Sequence, residues 1–246
     1  MNYSERKTIV LWGTPRSVST AFEKTFVERQ DIAVVHEPFA ECYYYSRWRK
    51  SCRYGDNTAL RDYGANAAIE RVFATSSSAT FVKDMAFQAV HYVPDEFLKK
   101  VINTFIIRDP VRVAKSLYSL KPDFTEEEFG FLSLKTLFYR VLDQTGQPTI
   151  VVDGDRFRND PKSILRSYCS AVGVEFLSQM LKWQNGKIRE WSSEEHEAHA
   201  KWHKTLEASR EILAPQEIGD FCPRPEHEDV IGRAQEIYRE IAELSL

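Results

Sequence analysis

The stretch "LWGTPRSVSTAFEKTF", residues 11–26, decides how the N-terminal part of this chain folds. An apolar run over 8–12 stops at Gly13 and predicts a buried β-strand. A short loop rich in hydroxyl residues follows, and helical spacing begins at about Ala21. A strand, a tight loop and a helix start place backbone N–H groups and the positive end of a helix dipole around one point. The stretch therefore predicts an anion-binding loop.

The side chains of this first loop, residues 14–20, suit a phosphate or sulfate better than ATP. Arg16 offers a charged fork of donors, and Ser17, Ser19 and Thr20 offer hydroxyls. An ATP-binding loop reads GxxxxGK[ST], with a Lys on the phosphates and a hydroxyl on Mg²⁺. No Gly-Lys pair stands here. The alternative interpretation is an ordinary strand-to-helix turn capped by Ser17.

Strand-like and helix-like segments alternate up to about residue 176. Five apolar runs predict strands, at 8–12, 32–35, 79–82, 101–107 and 149–152. Helical spacing covers roughly 18–29, 58–74, 111–120, 127–145 and 161–172. This order predicts an α/β fold, with a central parallel sheet that is buried on both faces and flanked by helices.

The chain has 246 residues, 43% of them hydrophobic, and a formal net charge of −3. This suits one domain, 1–246, with a core at about 8–176 and a helical C-terminal extension at about 177–246. Helical patterns at 194–213 and 226–244 define that extension. The acidic balance argues against a general nucleic-acid binder, which would be basic.

The expected cellular location follows from two features that are not found in the sequence. No apolar run reaches the length of a membrane span, and the polar start does not resemble an export signal, so we expect a cytoplasmic protein. The four cysteines form no CxxC pair and are expected to be reduced thiols. A chance pairing of Cys42 with Cys52 is the alternative.

A second decisive stretch is "FIIRDPVRVAKSLYS", residues 105–119. Arg108 ends an apolar strand, and Pro110 stands at a favoured first position of the following helix. Ser116 follows Arg108 by eight residues. Both side chains can converge on a second anion at the carboxyl edge of the sheet, where open α/β sheets bind ligands. The alternative is that Arg108 forms a salt bridge with a neighbouring Asp.

Together the two sites resemble those of the sulfotransferases that use 3′-phosphoadenosine-5′-phosphosulfate (PAPS), in a P-loop, bacterial-like variant. The family's first loop reads Pro-Lys-Ser-Gly-Thr-Thr, and its second motif is Arg-x-Pro with a Ser eight residues after the Arg. Arg108, Pro110 and Ser116 match that second spacing. The resemblance implies that Arg108 and Ser116 hold the 3′-phosphate. It also implies that the 5′-phosphosulfate is held by Thr14, Pro15, Arg16, Ser17, Val18, Ser19 and Thr20.

The resemblance runs from about residue 8 to residue 176. "FVKDM", residues 81–85, resembles a segment in which a Lys, followed by Thr-His, ends a central strand near the sulfuryl group. Residues 150–176 resemble the family's strand, acidic turn and Asp-Pro helix start. "WHKTLEASRE", residues 202–211, weakly resembles the segment that closes over the nucleotide.

The sequence departs from the family pattern at three places. Arg16 stands where many members have Lys. Val18 replaces a Gly, so this position is predicted not to need a positive φ. Asp84 and Met85 follow Lys83, so the usual general-base histidine is absent from its place.

The resemblance implies in-line transfer of a sulfuryl group to a hydroxyl or amine of a small-molecule acceptor, with 3′,5′-ADP as the second product. Charge builds on the leaving oxygen, and Arg16 and Lys83 are the candidate cations that stabilise it. PAPS is already activated and the sequence offers no metal-ligand cluster, so no metal is expected.

The general base is sought in "VVHEPFAECYYYSRW", residues 34–48, which follows the second strand. His36 and Glu37 are the best candidates. Glu37 is favoured because bacterial members often place a Glu in a Glu-Pro segment there. Glu41 and His91 come next. The alternative for His36 is a structural histidine bonded to a loop carbonyl.

Residues 41–57 show no clear period and predict a long loop. Their basic aromatic cluster could line a pocket for a planar or amphipathic, acidic acceptor, or could be a surface loop with its rings packed inward. Its members are Tyr43, Tyr44, Tyr45, Arg47, Trp48, Arg49, Lys50 and Arg53. A solvated helix face is the interpretation of Glu126, Glu127, Glu128 and Asp143.

Two other functions remain open. A small-molecule or nucleotide kinase would use ATP and Mg²⁺, which the missing Gly-Lys pair disfavours. A non-catalytic nucleotide-binding protein would keep the first loop without turnover. The sequence determines neither the acceptor nor the oligomeric state.

Overall fold

A computed structural model describes residues 6–53, 60–186, 202, 204–217 and 219–246 of the chain. Its centre is a parallel sheet of five strands in the order β2-β3-β1-β4-β5. The strands are β1 Lys7–Gly13, β2 Ile32–His36, β3 Ala79–Met85, β4 Ile102–Ile107 and β5 Ile150–Asp153. The predicted central parallel sheet is thus confirmed.

Helices cover both faces of this sheet. In chain order they are α1 Ser19–Val27, α2 Ala40–Tyr45, α3 Ala65–Phe73, α4 Ala86–Ala89, α5 Asp95–Leu98, α6 Pro110–Tyr118, α7 Glu126–Phe129, α8 Phe131–Thr145, α9 Gly154–Asn159, α10 Pro161–Val172 and α11 Pro225–Ala242. A 3₁₀ turn spans Ser178–Leu181.

Short polar side chains start several of these helices. Asp109 caps α6 by accepting from the N–H groups of Val111 and Arg112, with Pro110 in the first turn. Asp160 caps α10 in the same way, through the N–H of Ser163. A Pro at the first position and an Asp before it favour helix initiation, which explains why these starts were predictable from sequence.

The core is split by the sheet into two layers. The central strand β1 is fully buried at four consecutive positions, 9–12. One layer packs α1 and α10 against the sheet, with Phe26 stacked on Phe81 at 3.9 Å between ring centroids. The other layer contains α8 and α11, whose apolar faces join a single large cluster. Near-continuous apolar strands are therefore buried on both faces, as parallel sheets require.

The chain order places one crevice at the carboxyl edge of the sheet. From β1 the chain moves to β2 and β3 on one side, and then to β4 and β5 on the other. Loops that leave adjacent strands toward opposite sides open a crevice between them, which is where open α/β sheets bind ligands. The first loop lies at this point, directly after β1.

The structure corrects three boundaries. The helix predicted over 127–145 is two helices, α7 and α8, because Gly130 (φ 82°) takes a left-handed conformation between them. The loop predicted over 41–57 begins with α2. The predicted helix 58–74 is helical from Ala65, while 54–59 lie outside the described residues.

The C-terminal extension is partly described. Helix α11 matches the pattern predicted at 226–244, and its Tyr238 hydroxyl donates to Asp153 at 2.5 Å. The Leu246 N–H donates to the Val151 carbonyl at 3.0 Å. Within the helix predicted at 194–213, residues 194–201 and 203 lie outside the described part of the chain.

All four cysteines are free, and Cys42 and Cys52 are not paired with each other. Within the residues that the structure describes, no helix has the length and apolar character needed to cross a bilayer.

Candidate active site

A cavity of about 550 Å³ opens at the carboxyl edge of the sheet. This volume lies within the range of small-molecule sites. Residues from the first loop, the ends of β2 and β4, helix α6 and the C-terminal extension surround it. Among the residues predicted from sequence, it is lined by Pro15, Arg16, Val18, Ser19, Thr20, Glu37, Arg108 and Ser116.

The first loop is strained. Arg16 (φ 59°) and Val18 (φ 73°) both adopt left-handed backbone conformations, so the prediction that Val18 needs no positive φ was wrong. Gly154 packs closely on this loop, since a Cβ at that position would lie 2.5 Å from the carbonyl oxygen of Ser17. The Ser17 hydroxyl also donates to the Thr14 carbonyl at 2.6 Å. Such strain persists only where surrounding contacts determine the conformation.

Substitution of Val18 tests the backbone strain of the first loop. We expect Val18→Gly to be more stable than Val18→Ala by about 1 kcal/mol, because only glycine occupies the left-handed region without penalty. Both variants lose the same partly buried side chain, so they form a matched pair. Urea unfolding of the two variants measures the difference. Equal stability, or a more stable Ala variant, would show that the backbone relaxes without cost.

The start of α1 has donors without side-chain caps. Val18 is the N-cap residue and makes no side-chain cap hydrogen bond, while the Ser17 hydroxyl bonds backward to Thr14. The alternative of a turn capped by Ser17 is therefore wrong. The Thr14 hydroxyl is also buried, with no hydrogen-bond partner among the described residues. Uncapped amides at a helix start and an unpaired hydroxyl together suit an anionic ligand.

Two arginines converge beside this loop. The Arg16 Nε donates to the Ser116 hydroxyl at 2.9 Å, and the Arg108 Nη1 donates to the Arg16 carbonyl at 3.2 Å. Burial, and then the charge of Arg108, lowers the pKa of Arg16 to about 10. The two predicted anion sites are thus adjacent and share one cavity. Two guanidinium groups that repel each other at a helix start favour a bound anion between them.

Arg108 also has a carboxylate partner. Its Nε donates to Asp155 at 3.0 Å, and Arg112 lies 3.4 Å from the other oxygen of the same carboxylate. The alternative of a salt bridge to an Asp is therefore correct for one edge of the guanidinium. Arg108 lines the cavity as well. The salt bridge orients the side chain and does not remove it from the cavity.

Glu37 brings a carboxylate to the opposite side of the cavity. Its backbone is left-handed (φ 38°), and its N–H donates to the Lys83 carbonyl at 2.8 Å. Its carboxylate forms an ion pair with the fully buried Lys83 ammonium. Glu37 lines the cavity, whereas Lys83 lies outside its lining. Lys83 therefore reaches the site through Glu37.

His36 is held by a buried carboxylate from α1. Its Nδ1 lies 2.7 Å from Glu23, and its Nε2 lies 3.6 Å from Glu37. The partner of His36 is thus Glu23, where sequence had suggested a loop carbonyl. Glu41 bonds to Arg61 at 2.9 Å and His91 to Glu127 at 3.0 Å, both away from the cavity lining.

Asp84, which directly follows Lys83, has a structural role. Its carboxylate is fully buried and accepts from the N–H groups of Phe39 and Met85, each at 2.8 Å. Burial, and then the nearby charge of Glu37, raises the pKa of Asp84 to about 8. The residue after Lys83 therefore ties β3 to the start of α2.

The three tyrosines of the basic aromatic cluster pack inward, whereas Trp48 is 54% exposed. Tyr43 and Tyr45 are buried, and Tyr44 is the one member of the cluster that lines the cavity. Glu128 is not on a solvated face, because it is buried and bonds to Arg53 and Lys121. The basic residues of the cluster do not line the cavity, so they do not form the suggested pocket for an acidic acceptor.

Sequence reasoning missed several cavity residues. Arg112 follows Arg108 by four residues, a spacing that could have indicated the same face of the α6 region. For the C-terminal segment the sequence offered only the weak resemblance over 202–211, and this segment contacts the site: Arg16 donates to the Trp202 carbonyl at 2.8 Å, and Arg158 to the Leu213 carbonyl at 2.7 Å. Other missed lining residues are Lys115, Lys121, Gln88, Phe87 and Glu128.

The fold and the site define an α/β protein with a cavity at the carboxyl edge of its sheet that is lined by Arg16 and Arg108. The chain belongs to the sulfotransferase domain family, whose model matches residues 7–242.

One solved structure supports that fold. The chain superposes on the Sulfotransferase Domain from the Synechococcus PCC 7002 Olefin Synthase over 97% of each chain, with a TM-score of 0.52 and 12% sequence identity. The Sulfotransferase Domain from the Curacin Biosynthetic Pathway has a TM-score of 0.48, also at 12% identity, over 96% of this chain and 98% of that chain. At 12% sequence identity, the similarity to the first of these two structures supports the fold alone.

Two Arabidopsis thaliana proteins are similar in sequence, Branched-chain-amino-acid aminotransferase-like protein 2 and protein 1. Each is 27% identical, over 94% and 96% of this chain respectively. The chain spans only 41% of the length of each relative.

Proposed function

We propose that this chain transfers a sulfuryl group from PAPS to a hydroxyl or amine of a small-molecule acceptor and releases 3′,5′-ADP. Family membership supports transferase chemistry on a sulfuryl group. The observation that carries the nucleotide part is the convergence of Arg16 and Arg108 on one cavity at the start of α1. A ligand phosphorylated at both the 5′ and 3′ positions presents anions to both guanidiniums.

The donor groups around the first loop fit such a ligand. Uncapped amides at the start of α1, the unpaired Thr14 hydroxyl and Arg16 would hold the 5′ end. Arg108 and Ser116 would hold the 3′-phosphate, with Arg112 beside them on Asp155. PAPS supplies an already activated sulfuryl group. Among the described residues, no cluster of His, Cys, Asp and Glu could hold a metal ion.

Arg16 is the proposed cation for charge that develops at the 5′ end. It lies on the first loop and is held in place by hydrogen bonds to the Ser116 hydroxyl and the Trp202 carbonyl. Preorganised donors stabilise developing charge without reorganisation, which is the largest single contribution in many enzymes. Lys83 takes a different role from the one suggested by resemblance, because it contacts Glu37 and lies outside the cavity lining.

Glu37 is the proposed general base. Its carboxylate takes the proton from the acceptor hydroxyl or amine as the acceptor attacks. The buried Lys83 ammonium fixes the carboxylate, and the Nε2 of His36, whose ring is oriented by Glu23, lies 3.6 Å from the same carboxylate oxygen. Of the four candidate bases named from sequence, Glu37 is the one that lines the cavity.

Nucleotide preference tests this proposal directly. At 100 times its Kd, 3′,5′-ADP should stabilise the fold by about 2.7 kcal/mol, a rise in melting temperature of roughly 5–10 °C for a chain of this size. Thermal unfolding with 3′,5′-ADP, 5′-AMP and ATP–Mg²⁺ at equal concentrations measures it. The bisphosphate should stabilise most. A larger shift with ATP–Mg²⁺ would support a kinase, and binding without turnover of PAPS would support a nucleotide-binding protein.

A further inference from the structure

The cavity has two chemically different halves. The side that follows β1 and β4 carries the first loop, Arg108 and Arg112, which suit anions. The side that follows β2 and β3 carries Glu37 and the β3–α4 junction. On this second side the walls are Tyr44, Met85, Phe87 and Gln88, three of them apolar or aromatic. An acceptor that meets Glu37 must lie against these walls.

The charged groups of this second half are already paired. Glu37 is neutralised by Lys83, and Lys121 by Glu128. The Glu128 carboxylate also accepts from Arg53 at 2.8 Å and from the Thr125 N–H at 3.0 Å, so its oxygens are used. A charged acceptor would lose its hydration here without gaining a counter-charge, and such transfer is costly. The pairing therefore favours an uncharged acceptor.

Gln88 supplies an unused hydrogen-bonding group. Its side chain lines the cavity and is only 5% exposed, and its Oε1 has no hydrogen-bond partner among the described residues. A buried amide oxygen without a donor destabilises the folded state, since water no longer bonds to it. The oxygen itself is buried, and rotation of the terminal amide torsion, which has a broad energy minimum, would turn it toward the cavity. A ligand hydroxyl that then donates to this amide removes that penalty on binding.

We propose that the acceptor is an uncharged hydroxy compound with an apolar body and a second neutral hydrogen-bonding group, which Gln88 recognises. This inference rests on the proposed function, because it assigns the acceptor of that same site. Glu37 meets the reacting hydroxyl, Tyr44 and Phe87 pack on the body, and the Gln88 amide bonds to the second group.

Four phenols that differ in one group test the proposal. They are 4-propylphenol, 3-(4-hydroxyphenyl)propan-1-ol, 3-(4-hydroxyphenyl)propanoate and 3-(4-hydroxyphenyl)propan-1-amine. Calorimetric titration, with and without 3′,5′-ADP, should show the alcohol binding about five- to ten-fold more tightly than 4-propylphenol. The carboxylate and the ammonium compound should bind at least about ten-fold more weakly than the alcohol.

Two substitutions assign the preference to Gln88. Gln88→Met should remove the advantage of the alcohol over 4-propylphenol and should leave the melting temperature equal or higher, because an unpaired buried oxygen is lost. A purely structural Gln88 would instead lower the melting temperature. Gln88→Glu should shift the preference to the ammonium compound, because it adds an unpaired carboxylate.

Each result bears on the inference separately from the proposed function. Selective binding of the alcohol supports the inference even when no sulfuryl transfer from PAPS is detected, and that absence counts against the proposed function alone. Tighter binding of the carboxylate or the ammonium compound to the unsubstituted protein overturns the inference. So does failure of the alcohol to bind at millimolar concentration, or an unchanged preference in both Gln88 variants.

Discussion

Glu37→Gln is expected to lower kcat for sulfuryl transfer by about 10²–10⁴-fold, the usual contribution of a positioned general base. The Kd for 3′,5′-ADP should change by less than about three-fold, which is under 1 kcal/mol. The reason is position: Glu37 follows β2, on the half of the cavity opposite Arg108 and Arg112. Single-turnover kinetics with PAPS and calorimetry with 3′,5′-ADP measure the two quantities.

The ion pair with Lys83 makes a stability control necessary. Removing one partner of a buried ion pair costs up to about 3–5 kcal/mol, because the other charge is left uncompensated. Glu37→Gln should therefore also lower the melting temperature. The double variant Glu37→Gln/Lys83→Met replaces both charges and should recover stability without recovering turnover. Recovered turnover in the double variant would place the base elsewhere.

Glu41→Gln is the matched control for the base. Glu41 carries the same carboxylate in the same segment, yet it bonds to Arg61 at 2.9 Å outside the cavity lining. Turnover in this variant should stay near that of the unsubstituted protein, because the carboxylate does not reach the acceptor. A loss as large as that of Glu37→Gln would mean that the segment as a whole, not Glu37, controls the reaction.

Arg108→Met is expected to raise the Kd for 3′,5′-ADP by about ten-fold or more, since a charge-assisted hydrogen bond contributes about 1.5–3 kcal/mol. The Kd for 5′-AMP, which lacks the 3′-phosphate, should change much less. Asp155 keeps Arg112 at 3.4 Å, so the substitution does not leave its carboxylate alone. Calorimetric titration of both nucleotides into the variant gives the comparison.

Arg140→Met is the control for loss of a charge. Arg140 pairs with Asp95 at 2.6 Å, and both side chains are partly exposed, so its removal should change stability by at most about 1 kcal/mol and leave both Kd values unchanged. If Arg108→Met raised the Kd values for both nucleotides equally, a contact with the 3′-phosphate would not be the cause. Arg108 would then act through its bond to the Arg16 carbonyl, and the assignment to the 3′-phosphate would be wrong.

The sheet was predictable because its information is local. Each strand is a short apolar run that ends at a polar or glycine residue, and the alternation with helical spacing implies parallel order. The starts of α6 and α10 were predictable for the same reason, since Asp109 and Asp160 cap their own helices. The break at Gly130 was missed, because a glycine within a periodic segment does not by itself show that a helix ends.

The site residues were predictable only where a sequence motif lies at a fixed distance from the end of a strand. Arg16 and Arg108 were found because each stands at a fixed distance from a strand end. The burial of Lys83 behind Glu37 was not predictable, because the ion pair joins residues that are 46 positions apart in the chain. The same holds for Glu128, whose acidic run indicated a solvated face but whose carboxylate meets Arg53, 75 positions away.

By itself, the sequence "LWGTPRSVSTAFEKTF" determined that a strand, a loop and a helix follow one another directly, because those elements form from neighbouring residues. Only the tertiary structure showed the left-handed backbone of Val18 and the close approach of the distant Gly154 to this loop. It also decided which carboxylate reaches the cavity, because the side chain of Glu37 is positioned by the distant Lys83. Contacts across the chain have no signature in local sequence.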